Sequence, residues 1–272
     1  MFKKKQIQRF QKPKTVNLGR IAIPMELKSL LEQRSETSWK NYIPHISIDS
    51  VIFGFHDGTL KVLLLKMKDQ ELWGLPGGYV YKEEPLDAAA VRILKDRAGA
   101  TDIYLQQFYT FGDLNRSEGF FEDYPDTLWN KQRFISIGYY ALVDYSKVGI
   151  IMDEFSTACE WKDIEQLPPF MMDHRQIFDK ALLTLRKQLN NKPIGYNLLP
   201  EQFTMPEIQK LYEIILDKKL NRGNFYRKLL RYDILLKHEE PRKGGAHRAP
   251  DLYSFDLEKY QKALKEGLSG GW

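Results

Sequence analysis

Apolar and polar residues alternate across 46–55 and then run continuously apolar, as in a strand entering a core. Asp57-Gly58 follows, a strong two-residue hairpin signal, and 60–66 (LKVLLLK) reads as the return strand. A tight Leu75-Pro76-Gly77-Gly78 turn and a short loop lead into a helix predicted over 86–98. Strand-like stretches at 102–112 and 134–143 flank a polar segment, 115–132, whose Gly119 and Pro125 mark it as a long loop. A short strand at 159–161 precedes a helix over 174–189, with apolar residues at 177, 178, 181, 182, 185 and 189. The pattern breaks at 192–196, in the turn-rich NNKPIGY, which is a candidate domain boundary. Beyond it Thr204, with Glu207 three residues on, forms a capping box opening a helix to about 216. A turn at 217–221 precedes a second helix over 222–232. Strands at 234–239 and 252–256 are then joined by the basic glycine loop PRKGGAHRAP. Residues 1–42 read as a basic, solvated extension with one short helix at 25–33 and, at most, a minor DNA contact. Helix, turn, helix and hairpin is the order of a winged helix-turn-helix. The expected divisions are therefore 1–43, 44–191 and 192–272.

Composition narrows the class without deciding it. Of 272 residues, 43% are hydrophobic and 13% aromatic, enough for one large core or two ordinary ones. No apolar run is long enough to span a bilayer, and the basic MFKKKQIQRFQKPK start lacks the apolar segment of a secretory signal. With its single cysteine, Cys159, the chain forms no internal disulfide and fits a reducing cytoplasm. Five His and one Cys, scattered, hold no zinc cluster, and no Ser/His/Asp set is present. Net charge is +5 and the pI about 9.0, compatible with a polyanion partner.

The charge is concentrated. From 218 to 248 there are ten Lys/Arg against three Asp/Glu, a local +7 that exceeds the whole chain's +5. On the second helix Arg222, Asn224, Arg227, Lys228 and Arg231 recur at three- and four-residue spacing, while Phe225, Leu229 and Leu230 can face the core. Asn reads adenine and Arg guanine in the major groove, and Lys mostly holds phosphate. Arg242, Lys243, His247 and Arg248 sit in the wing loop. The plainer alternative is a solvated basic face on a helical oligomerisation domain, which leaves the glycine-rich wing without a purpose.

Residues 73–100 (WGLPGGYVYKEEPLDAAAVRILKDRAGA) carry a second signature. They resemble the Nudix box of the Nudix hydrolases, Gly-x5-Glu-x7-Arg-Glu-U-x-Glu-Glu-x-Gly-U, where U is a bulky apolar residue. Gly78, Glu84, Arg92, Leu94 and Gly99 fall on it. The three helix glutamates are replaced by Ile93, Asp96 and Arg97, and the last apolar position by the smaller Ala100. Residues i, i+3 and i+4 share one helix face, where three carboxylates would offer Mg²⁺ its oxygens. Here one carboxylate remains beside an isoleucine and a permanent cation. The pair Glu84 and Arg92, which the family uses to hold loop against helix, is kept.

A degenerate Nudix domain followed by a winged helix resembles the Nudix-related transcriptional regulators. PIGYNLLPEQFTMPEIQKLYEIIL and NFYRKLL carry the second half, and the resemblance covers 44–256. It implies an α/β fold, a Nudix α/β/α sandwich with mixed sheet followed by a C-terminal winged helix-turn-helix. It further implies a homodimer on a pseudo-palindromic duplex operator, acting as repressor or activator. The Nudix domain would sense a small molecule, ADP-ribose or a pentose, with no hydrolysis, metal or cofactor. The SIGYYAL strand and the pattern Leu167, Pro168, Asp173, His174 look closer to the sugar-responsive branch. Tyr79, Asp113 and Arg133 stand at strand or loop ends expected to flank the cleft, and His174 is expected to start a helix. The rival reading is an active Nudix hydrolase of a nucleoside diphosphate derivative, with Mg²⁺ on Glu83, Glu84 and Asp96. A protein-interaction scaffold is a third.

Overall fold

The computed structural model describes residues 25–68, 70–99, 103–149, 151, 154–239 and 250–267. Its first element is helix α1 (Met25–Asn41), which runs directly into the long strand β1 (Tyr42–His56). The hairpin to β2 (Thr59–Met67) turns at Asp57 and Gly58, with φ of 51° and 69°, the paired positive values that match strand twist. Then come β3 (Trp73–Gly74), β4 (Gly77–Tyr81), α2 (Leu86–Ala98), β5 (Tyr104–Phe111), β6 (Ile135–Val143), β7 (Ser156–Asp163) and α3 (His174–Leu189). One mixed sheet runs β3-β2-β1-β6-β5, with β4 paired to β1 and β7 to β2; β1 and β6 are parallel and the other pairs antiparallel.

The period-two alternation sorts the sheet residues onto two faces. Val51, Phe53, Val62, Leu64, Tyr140 and Leu142 face α3, through Ile177, Phe178, Ala181 and Leu185. Ile52, Leu63, Leu65, Ala141 and Val143 face Leu94 of α2. This is an α/β/α sandwich.

The C-terminal unit comprises β8 (Phe203–Thr204), α4 (Met205–Leu216), α5 (Arg222–Arg231), β9 (Leu235–Lys237), β10 (Leu252–Phe255) and α6 (Leu257–Glu266). The Thr204–Glu207 capping box is complete: the Thr204 amide donates to Glu207 Oε2 at 2.7 Å, and the Glu207 amide to Thr204 Oγ1 at 3.4 Å. Asp217, left-handed at φ 53°, ends α4. Glu213 braces the following turn by accepting from the Leu220 amide at 2.8 Å, and Asn221 caps α5 by accepting from the Asn224 amide at 3.0 Å. The three strands order β8-β10-β9. A winged helix results.

The two units share one apolar core. A single buried cluster reaches from Phe53 and Phe178 through Leu185 and Leu189 to Ile208, Leu211 and Phe225. Arg186 Nε of α3 donates to the Ile215 carbonyl of α4 at 2.8 Å.

Several expectations need correction. The extension to residue 43 is not solvated throughout: α1 spans 17 residues, and Leu27 and Leu31 are buried against Phe121, Tyr124 and Leu128. Residues 1–24 lie outside the described set. The 115–132 segment is the expected long connection between β5 and β6, but it holds two short 3-10 turns (118–121 and 129–131) and a fully buried Trp129. Leu230 is 41% exposed rather than in the core. β3, β4, β8 and α6 were not expected.

Candidate effector cavity and nucleic-acid interface

The structural half of the 73–100 signature is intact. Arg92 donates to Glu84 Oε2 at 3.1 Å and to the Tyr79 carbonyl at 2.8 Å, and its guanidinium lies 4.3 Å from the Tyr81 ring centroid. Glu84 also accepts from the Tyr81 amide at 2.8 Å. The Arg92 hydrogen bond holds the Glu84 carboxyl below its ordinary pKa. Gly99 ends α2 left-handed at φ 59°, where a Cβ would lie 2.8 Å from the Gly149 carbonyl.

The metal half has been rebuilt as packing. Ile93 is 3% exposed, among Ile48, Val80, Ala89 and Tyr139, and a Cβ on Gly78 would lie 3.0 Å from its side chain. Asp96 is an exposed carboxylate 3.9 Å from Arg92 Nη1, and Arg97 follows it. These residues do not fit Mg²⁺: one carboxylate, already facing a cation, does not make a hard-oxygen site. Among the described residues no three His, Cys, Asp or Glu side chains converge as metal ligands.

Above this box lies a cavity of about 500 Å³, walled by β1, β4, α2, the 116–134 segment and α1. That size suits a nucleotide-sized ligand. Four arginines line it (Arg34, Arg92, Arg97 and Arg116), with Tyr42, Tyr79, Tyr81 and Phe134 among its aromatic rings. Tyr42 and Tyr81 stack at 4.9 Å, and Tyr79 lies 5.2 Å from Phe134. Tyr79 accepts from Asn130 Nδ2 at 2.8 Å, and burial with the nearby Asp49 charge keeps it a neutral phenol.

At the cavity's base sits a buried charged network that sequence reading missed. Arg116, with a side chain 4% exposed, donates twice to Asp173 at 2.8 Å and to Asp49 at 3.1 Å. Ser136 Oγ donates to Asp49 at 2.5 Å. His174 does start α3, as expected, yet it also lines the cavity. Its Nδ1 accepts from the Leu75 amide at 2.8 Å, which puts the ring proton on Nε2, 3.7 Å from Asp49 Oδ1. Burial lowers the His174 pKa against the opposing pull of Asp49 and Asp173. Burial likewise raises the Asp173 carboxyl, against the hydrogen bonds from Arg116.

The lowered His174 pKa has a measurable sign. Below its ordinary value of 6.5, the unfolded chain takes up a proton that the folded ring resists, so stability falls as pH falls through that value. His174→Gln should flatten the stability slope between about pH 7 and 5, by at most about 1.4 kcal/mol per pH unit. Urea unfolding of both proteins across that range checks it; parallel slopes would refute it.

Of the effector residues expected from sequence, only Tyr79 lines the cavity. Asp113 and Arg133 are exposed and do not line it; Arg133 donates to the Gly112 carbonyl at 3.2 Å. Both lie near strand ends, and their polarity alone suggested the cleft.

On α5, Phe225 and Leu229 are buried while Arg222, Asn224, Arg227 and Arg231 are exposed; Lys228 is half-buried. Arg227 Nη2 donates to Asn224 Oδ1 at 2.6 Å, so the two heads act as one unit. Tyr226 and Tyr253 hydroxyls lie 3.0 Å apart, tying the helix to β10. Arg242, Lys243, His247 and Arg248 of the wing lie outside the described residues. No helix among the described residues is long and apolar enough to cross a membrane.

Compared with known proteins, residues 44–181 match the NUDIX domain and residues 195–255 the NrtR DNA-binding winged helix domain. The chain belongs to the Nudix family. Within this family, it is 27% identical over 224 residues to the ADPR responsive transcriptional repressor NtrR of Acinetobacter baylyi, covering 80% of this chain and 84% of that protein. The crystal structure of Shewanella oneidensis NrtR superposes with a TM-score of 0.67 at 25% identity, over 84% of this chain and 100% of that one. The same protein complexed with a 27mer DNA gives 0.67 at 24%, over 84% and 99%. The lean toward the sugar-responsive branch is thereby corrected: the winged helix is of the NrtR type, and the curated relative answers to ADPR. The SIGYYAL strand that suggested sugar is β6, whose residues Tyr140, Ala141 and Leu142 are core.

Proposed function

We propose that this protein is an ADP-ribose-responsive transcriptional repressor, in which the Nudix domain senses the effector and the winged helix binds the operator. The observation that carries the reading is the cavity itself. It keeps the Nudix frame, replaces the metal face with Ile93 packing on Gly78, and gathers four arginines with stacked aromatic rings. Cations and rings suit a nucleotide diphosphate; a pentose offers neither an anion nor a base to stack. The relative's response to ADPR supports the same ligand. A homodimer on a pseudo-palindromic operator, in the cytoplasm, completes the proposal.

Coupling between the sites runs along α3. Its N-cap Asp173 holds Arg116, its first residue His174 lines the cavity, and its C-terminal end packs Leu185, Leu189 and Arg186 on α4. A ligand that moves the first turn shifts the frame on which α5 rests. Linkage then demands that operator and ADP-ribose change each other's affinity by one common factor.

The test is fluorescence anisotropy on operator DNA with and without ADP-ribose, beside thermal shift with ADP-ribose, arabinose and xylose. ADP-ribose alone should raise the melting midpoint and should change operator affinity severalfold. Hydrolysis of ADP-ribose with Mg²⁺ at an ordinary enzymatic rate, abolished by Asp96→Asn, would favour the hydrolase reading instead.

A further inference from the structure

We infer that α1 is a working wall of the effector site and that Arg34 on it binds the ligand's phosphates, in competition with Glu154. This rests on the proposed nucleotide effector. α1 lies before the segment that matches the NUDIX domain, residues 44–181, so neither family match assigns it a role.

Leu27, Leu31, Arg34 and Ser38 stand at i, i+4, i+7 and i+11 and share one helix face. The first two are buried against Phe121, Tyr124 and Leu128. The same face continues as Arg34, Thr37 and Ser38, all lining the cavity. The far end is fixed as well: Trp39 packs edge-on against Trp129 at 4.7 Å, and Lys82 Nζ donates to the Trp39 carbonyl at 3.1 Å. Anchored at both ends, the helix presents its polar stretch in a set position, which lowers the ordering cost of binding.

The partners of the cavity arginines separate their roles. Arg116 is locked between Asp49 and Asp173, and Arg92 is committed to Glu84, the Tyr79 carbonyl and the Tyr81 ring. Arg34 pairs with Glu154, and the two side chains are 55% and 43% exposed. An ion pair so exposed is weak and readily exchanged. A diphosphate offers the guanidinium a better, bidentate acceptor. Glu154 itself lines the cavity, so it both competes for Arg34 and repels an anion.

The two partners therefore predict opposite signs. Isothermal titration of ADP-ribose into the full chain should show Arg34→Ala weakening binding about tenfold or more and Glu154→Gln tightening it severalfold. Melting midpoints without ligand should stay close to that of the wild type. A pair that only braces the fold would shift both variants the same way, because either substitution breaks it; that result overturns the inference. So does wild-type affinity in Arg34→Ala. If the wild type itself binds no ADP-ribose, the effector reading falls, and this one with it. If the wild type binds and only Arg34→Ala proves neutral, this inference alone falls.

Discussion

Arg116→Ala is expected to cost about 3–5 kcal/mol of stability, because it leaves two buried carboxylates without their counter-charge. Asp49 and Asp173 are 8% exposed each, and Arg116 is the cation between them. The guanidinium also ties the 115–132 segment to the fold through three hydrogen bonds, one to Asp49 of β1 and two to Asp173 at the N-cap of α3. Arg116→Lys keeps the charge but not the fork, and its loss should be intermediate. Adding Asp173→Asn to Arg116→Ala should restore part of the loss, since an amide needs no counter-ion. The pH dependence adds a second signature. Burial already raises the Asp173 carboxyl, and without the opposing hydrogen bonds of the arginine it rises further, so the folded state takes up that proton more readily than the unfolded chain. Stability of Arg116→Ala relative to wild type should then improve as pH falls toward the carboxylate range. Urea unfolding midpoints at pH 7 and 5 decide it; a loss below about 1 kcal/mol would mean that the network is solvated rather than buried.

This network marks the limit of what local pattern can reveal. Arg116 sits in NRSEGFFEDYPDTLWNKQR, a run that reads as loop because its polar residues have no period. Its partners are 67 and 57 residues away, and nothing near Arg116 announces them. Helix α3 was legible because its apolar residues recur at helical spacing, and α2 because it follows the Gly77-Gly78 turn at the spacing of the 73–100 signature. The Thr204–Glu207 box likewise announced α4. β4 was hidden by its own glycines: Gly77 and Gly78 look like breakers, yet they pair with Asp49 and Ile48 of β1. A Cβ on Gly77 would lie 2.7 Å from Asp49 Oδ1, so the missing side chain lets the network approach the strand. α1 was read too short because only Leu27 and Leu31 signal it. Its second half is held by contacts without an apolar period, the Trp39 ring on Trp129 and Ser35 Oγ, which accepts from the Trp129 amide at 2.9 Å.

The second large effect concerns operator reading, and salt separates it from phosphate contact. α5 is anchored by Phe225 and Leu229 and exposes its first turn, the part of a recognition helix that meets base edges. We expect Asn224→Ala to cost about 1–3 kcal/mol on the operator and much less on random DNA. Because Asn224 accepts from Arg227, its loss also frees the Arg227 head, and the double variant should cost less than the sum of the singles. Lys243→Ala in the wing should instead weaken operator and random DNA alike, and flatten the salt slope by about one unit. Fluorescence anisotropy of these variants on both DNAs across a salt series distinguishes the roles. Equal weakening of operator and random DNA by Asn224→Ala would mean that α5 grips phosphate and another element reads the bases. No effect from Asn224→Ala or Lys243→Ala would reduce the basic stretch to a solvated face, and the winged helix would then lack the contacts assigned to it.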